Sequence, residues 1–198
     1  MKKMFSTLLF AYGATAFAGT NARLEMPVTY HPEAGVVENV RTECQIEDML
    51  ASRIGGALGK INGTGNGVQE PGVKAEGAQT LRIQITHVLG VGGGAWSGPK
   101  AITVMVEVLE DGKTVRKTKI TRWSMGGAFG AFKGTCSILE RCANAITRDL
   151  SRWVQNPAYK IVEERAPKEA NSGNTDQPPA VEPAQLPAGE VVDKKSSS

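Results

Sequence analysis

Three cysteines, Cys44, Cys136 and Cys142, are the residues of this chain best able to make or break a covalent bond. They could form a disulfide, a redox centre or part of a metal site. No C-x-x-C pair occurs, so a redox-active thiol lacks its resolving partner. A zinc site would have to recruit His31 and His87, the chain's 2 histidines, which stand far from the cysteines in sequence. A disulfide is the remaining use, and an odd count leaves one thiol over. Hydrolysis finds little support. Ser97 and Ser124 lack the G-x-S-x-G setting of an exposed nucleophile, and His87 ends the apolar Leu81-Ile83-Ile85 face, where it reads as a core histidine. Glu47-Asp48 lies in a helix turn and Glu163-Glu164 in the tail, neither with a visible cleft. No catalytic residue, metal or cofactor is expected.

The glycine-rich run Gly90–Lys100 invites a phosphate-loop reading and fails it. Pro99 stands where the lysine belongs, and no Ser or Thr follows Lys100 to hold magnesium. A dinucleotide fingerprint fails at Ser97, where its third glycine should be. What remains is a loop between two strands, with Trp96 as a candidate binding anchor. A second run, Met125–Gly134, reads as a crossover loop whose Phe129 and Phe132 pack on a sheet, though its amides could cradle an anion. Lys113, Arg116, Lys117, Lys119 and Arg122 make one strand basic. Such a strand either blocks edge-to-edge pairing or contacts an anionic envelope component. The residues selected as a binding surface are Trp96, Lys100 and Trp123.

These residues need elements to hold them. Ile46, Leu50, Ile54, Leu58 and Ile61 recur at helical spacing, with Thr42 and Gln45 at capping-box spacing before them. Gly55, Gly56 and Gly59 weaken the second half of that helix, or admit a close backbone neighbour. Ile138, Cys142, Ile146, Leu150 and Trp153 form a second stripe, opened by Ser137 and Glu140 (or Thr135) and stopped at Asn156-Pro157. Between the helices, Leu81, Ile83 and Ile85 alternate with polar residues. Ile102 to Leu109 reads as a strand buried on both faces, and Asp111-Gly112 turns it into a return strand, Thr114–Ser124. Val28–Tyr30 is a weaker opening strand. The fold class is α+β, in the order β-α-β-β-β-α: a mostly antiparallel sheet with two helices packed on one face.

Lys2 and Lys3, the apolar run to Phe17 and the Ala16-Phe17-Ala18 site read as a signal peptide over 1–18, cleaved before Gly19. No cysteine sits there, so no lipid anchor is expected, and no later segment is apolar enough for a transmembrane span. Residues 19–156 form the domain. Residues 157–198, rich in Pro, Ala and Glu, read as a disordered tail, and truncation after Tyr159 should leave stability unchanged. The net charge of +3 over the whole chain is too mild to argue for nucleic acid. The expected location is the periplasm, an oxidising compartment. If successive elements reverse direction, both helices run parallel and start at one end of the layer. That places Cys44 beside Cys136, with Cys44–Cys142 as the rival pairing.

Across residues 40–157 the chain resembles a family of uncharacterised exported bacterial proteins. The resemblance is carried by Gly94-Ala95-Trp96-Ser97-Gly98-Pro99-Lys100, Trp123-Ser124-Met125-Gly126-Gly127, Gly134-Thr135-Cys136-Ser137-Ile138-Leu139 and Asp149-Leu150-Ser151-Arg152-Trp153. It implies no activity. In element order the domain is also similar to envelope-assembly modules such as the curli-secretion lipoprotein and the amino-terminal domain of TolB. The expected function is a non-catalytic periplasmic binding or assembly module contacting an envelope protein or other anionic component. The alternative is an inhibitor or immunity-type protein that blocks a secreted enzyme, and a small hydrolase ranks third.

Overall fold

Alternating apolar residues with helical stripes on either side produce, in chain order, β1 (Asn21–Glu25), β2 (Thr29–Gly35), α1 (Glu38–Cys44), α2 (Ile46–Ile61), β3 (Val68–Gln69), β4 (Ala78–Leu89), β5 (Lys100–Glu110), β6 (Lys113–Ser124) and α3 (Thr135–Gln155). The computed structural model describes residues 21–73, 77–90, 98–125 and 134–166. The expected signal peptide, Trp96, Phe129, Phe132 and the tail beyond residue 166 lie outside the described residues.

The fold is α+β with a six-stranded, mostly antiparallel sheet, and the helices pack on it. The strand order is β3-β1-β4-β5-β6, with β2 also paired to β4. The long ladders, β4 with β5 and β5 with β6, are antiparallel. β1 and β2 both run parallel to β4 and lie end to end along it, β1 beside 78–81 and β2 from Gln84 onward. The chain steps between them at Met26-Pro27. The opening strand expected at Val28–Tyr30 is therefore two strands, and the first of them was not foreseen.

Leu81, Ile83, Ile85, Ile102, Val104, Val106, Val108 and Ile120 share one core with Ile46, Leu50, Ile54 and Leu58 of α2 and Leu139, Cys142, Ile146 and Leu150 of α3. Burying each of the larger side chains contributes about 1.5–3 kcal/mol. Across the helix layer, Arg53 of α2 pairs with Glu140 of α3 and donates to Asn144 Oδ1 at 2.6 Å. β5 is buried on both faces over most of its length, as its sequence predicts.

Five local expectations change. The first helix begins at Glu38 and breaks at Gln45, whose φ of 45° and ψ of 54° interrupt the hydrogen-bonding run. The Thr42 hydroxyl donates back to Glu38 O at 3.1 Å, so the Thr42/Gln45 capping box does not form. At α3 the chain enters through Gly134. The Ser137 hydroxyl bonds Gly134 O at 2.9 Å and Glu140 pairs with Arg53, so that box does not form either. Between Ile85 and His87 the β4 ladder shifts register, which turns His87 out to solvent and gives the core position to Val88. The domain also continues past 156, because Tyr159 and Ile161 pack against the core. The glycines of α2, by contrast, mark a close approach: a Cβ on Gly59 would lie 2.8 Å from the backbone of Gly65, in the segment leading into β3.

Candidate interaction surface

β6 ends the sheet. It pairs with β5 on one side, and no described strand lies on its other side. The ladder with β5 sets two alternations at once. Arg116, Thr118, Ile120 and Arg122 stand opposite Val108, Val106, Val104 and Ile102, so their side chains share the helix-covered face. Lys117, Lys119, Thr121 and Trp123 take the open face. In an antiparallel strand, alternate residues also point both backbone groups to alternate sides. Two contacts show which set points outward: Trp123 N–H donates to Glu164 Oε2 at 3.1 Å, and Thr121 O accepts from Arg122 Nη1 at 2.7 Å. Lys117 and Lys119 therefore present their N–H and C=O groups to the outer side, and among the described residues nothing bonds to them.

On the helix side, Arg122 is 5 % exposed. Its Nε donates to Asp149 Oδ2 of α3 at 2.5 Å, and its Nη1 also reaches Val162 O at 3.0 Å. Glu164 Oε1 stands 3.8 Å from Nε. Tyr159 completes the cluster, its hydroxyl 3.4 Å from Asp149 Oδ1. Residues 157–164 thus form a strap running from the end of α3 to the end of β6, clasped by a buried guanidinium. A buried arginine has this many partners because each N–H left unpaired would cost about 1–3 kcal/mol. Lower on the strand, the Arg116 guanidinium lies 4.0 Å from the Trp153 ring centroid and donates to Trp153 O.

The three residues selected from sequence separate. Trp96 lies outside the described residues. Lys100 is fully enclosed: it stands opposite Ser124 and, by alternation, shares the helix-covered face with Ile102, where burial lowers its pKa. It is not a surface contact. Trp123 is part-buried at the end of β6, its backbone N–H held by Glu164 and its indole N–H buried with no acceptor among the described residues. The sequence reading placed Arg122 among exposed edge charges. Its two-residue offset from Ile120 was the signal that it faces inward. Nothing local announced Asp149, Val162 and Glu164 as its partners.

Cys44 and Cys136 form a disulfide, with a Cα–Cα distance of 5.0 Å. Cys142 is a buried free thiol, pushed up to about 12 by burial and secondarily by the Glu164 charge, so it is a poor nucleophile. The histidines do not converge with it: His31 Nδ1 accepts from Glu33 N–H at 3.2 Å, and His87 is exposed beside Gly35. No group of metal-ligating side chains gathers among the described residues. A groove of about 400 Å³ lies between the β1–β2 step and the α1–α2 break, with Met26, Val28 and Ala51 among its apolar lining and Glu38, Arg41, Glu47 and Asp48 among its charged lining. Beside it the Tyr30 ring stacks under Arg41 at 4.4 Å, and burial with the Glu47 charge pushes its hydroxyl up to about 12. The groove was not foreseen, and the one hydroxyl in its lining, Thr42, is turned back into α1.

The chain matches no protein-family model and no curated protein in sequence. It is similar in structure to the PelC dodecamer from Paraburkholderia phytofirmans, in two crystal forms. One is 14% identical with a TM-score of 0.42, over 70% of this chain and 90% of that one. The other is 17% identical with a TM-score of 0.39, over 67% and 90%. A protein from Xanthomonas campestris assigned to family DUF330 aligns at 13% identity and a TM-score of 0.38, over 70% of this chain and 85% of that one. Among the described residues, no helix is long and apolar enough to cross a membrane.

Proposed function

We propose that the domain is a non-catalytic binding or assembly module of the bacterial periplasm that contacts another envelope component through the outer edge of β6 and its Trp123 end. One observation carries this reading. β6 is a twelve-residue strand whose outward backbone groups at Lys117 and Lys119 meet no described partner. Unpaired strand edges bind or aggregate unless they are covered or protected. The basic side chains repel like-charged edges and leave the surface open to a partner of opposite charge. The disulfide fits an exported chain, since such bonds persist in oxidising compartments.

The test is site-specific photo-cross-linking of the full chain in intact cells, with the photoreactive residue at position 119 and, for comparison, at Lys60 near the end of α2. A discrete adduct from position 119, and none from position 60, is the expected result. Equal adducts from both positions, or none from 119, would remove the β6 edge from consideration.

A further inference from the structure

We infer that the β6 edge takes an extended acidic segment of a partner protein as an added strand, with Glu164 of this chain occupying the end of that edge beforehand. The inference rests on the proposed reading of β6 as the contact surface and names what that surface binds.

The backbone sets the kind of ligand. Outward groups at Lys117, Lys119 and Thr121 recur at every second residue over 117–121, a length of roughly 14 Å that matches a short strand. The Thr121 carbonyl already accepts from Arg122, and its N–H is still open among the described residues. A lipid headgroup or a polyanion would satisfy the lysines and leave this row of donors and acceptors unused. A peptide strand uses both.

The side chains set its charge. Lys117 and Lys119 are exposed on the open face and Lys113 stands at the start of the strand. Lys117 already pairs with Glu107 at 2.9 Å, whereas Lys119 makes no ion pair among the described residues. A second copy of β6 would bring the same lysines against these, and like charges placed opposite one another destabilise a ladder. The partner strand must therefore carry carboxylates. The chain supplies a precedent. Its own strap is irregular and acidic over Ile161-Val162-Glu163-Glu164, and it places a carboxylate on the outward N–H of Trp123 at 3.1 Å. An added strand that reaches Trp123 has to take that N–H from Glu164, so the strap competes for the last position of the edge.

The experiment uses the full chain and two synthetic eight-residue probes, one alternating Val and Glu and one alternating Val and Lys. Amide hydrogen exchange is followed residue by residue. The Val–Glu peptide should slow exchange at Lys117, Lys119 and Thr121 by about tenfold or more, and the Val–Lys peptide should not. N-methylation of alternate peptide amides keeps the charge and should abolish the protection. Lys119→Glu stands opposite Met105, so it sets no like charge directly across the ladder, and the diagonal Glu107 keeps its pairing with Lys117; it should weaken Val–Glu binding by several-fold or more. Glu164→Gln should speed exchange at Trp123 in the unbound protein, and the Val–Glu peptide should slow it again.

Protection that survives N-methylation, or that falls elsewhere than on 117–121, overturns the added-strand inference. So does binding to phosphatidylglycerol vesicles that depends on Lys119 and protects none of these amides. If the peptides fail while cross-links from position 119 persist, the acidic strand is wrong and the edge remains the contact. If those cross-links are absent as well, the edge reading falls with it.

Discussion

The two ends of α3 are fastened in different ways. At its start, Cys136 is bonded to Cys44, the last residue of α1. At its other end, Asp149, Arg122 and the strap residues Tyr159, Val162 and Glu164 are joined by hydrogen bonds and ion pairs. The covalent end adds stability chiefly by restricting the unfolded chain. The polar end draws on geometry that exists only in the folded state. One end is therefore open to reductant, and the other is not.

The largest separation between the two ends should come from the bond itself. Cys44→Ser and Cys136→Ser should each destabilise the domain by about 4 kcal/mol in urea unfolding, given a sequence separation of 92, and the double mutant should add little. Additive losses would mean that the thiols do more than form the bridge. Cys142→Ala should leave the bridge intact under non-reducing peptide mapping. Next comes Asp149→Ala, which leaves the Arg122 guanidinium enclosed with its main carboxylate gone and should cost about 2–4 kcal/mol. A loss below about 0.5 kcal/mol, the range of an ordinary surface substitution, would show the clasp to be idle.

Truncation after Tyr159 should cost about 1–2 kcal/mol, because it removes Ile161 from the core margin and the Val162 carbonyl from Arg122. This reverses the expectation drawn from composition, and an unchanged melting temperature would restore it. The smallest effect is expected on the alkaline side. The Cys142 thiol lies near about 12 when folded, against an ordinary value of 9.0, and the Tyr30 hydroxyl near about 12 against 10.0. The unfolded chain releases these protons first. The contribution is complete below about pH 9 and falls as pH rises from there toward about 12. Urea midpoints should therefore hold up to about pH 9 and decline above it, and Cys142→Ala should flatten the first part of the decline.

Both helical stripes, the doubly buried β5 and the Asp111-Gly112 turn could be read from the sequence because each is a local periodic pattern or a turn chemistry. Asp111 and Gly112 adopt φ of 50° and 80°, as a tight hairpin needs. The cysteine pairing was also legible, from the alternation of element directions with one cysteine beside the start of each long helix. β1 was missed because Asn21–Glu25 offers just Ala22 and Leu24 as an apolar alternation, beside an expected cleavage site. His87 was misplaced because a one-residue register shift reverses the faces of a strand and leaves no mark in composition. The strap was missed for a different reason. Its contacts depend on a guanidinium more than thirty residues away, and the surrounding Pro- and Glu-rich composition resembles chain that packs on nothing. Of the selected surface residues, Lys100 failed because its neighbours were read as loop, whereas the ladder sets it opposite Ser124 under the helix layer.

The bridge between Cys44 and Cys136 also fixes how the domain would carry mechanical load. A pull applied at β1 and at the strap passes from Cys44 to Cys136 through the sulfurs, and α2 and the whole of β3 to β6 hang outside that line as a closed loop. The chain between the cysteines, a sequence separation of 92, cannot be drawn out, which withholds roughly 330 Å of extensible chain at full contour. Under such tension β1 and β2 shear from the flank of β4 and the strap peels from Arg122, while the β4–β5–β6 ladders stay slack.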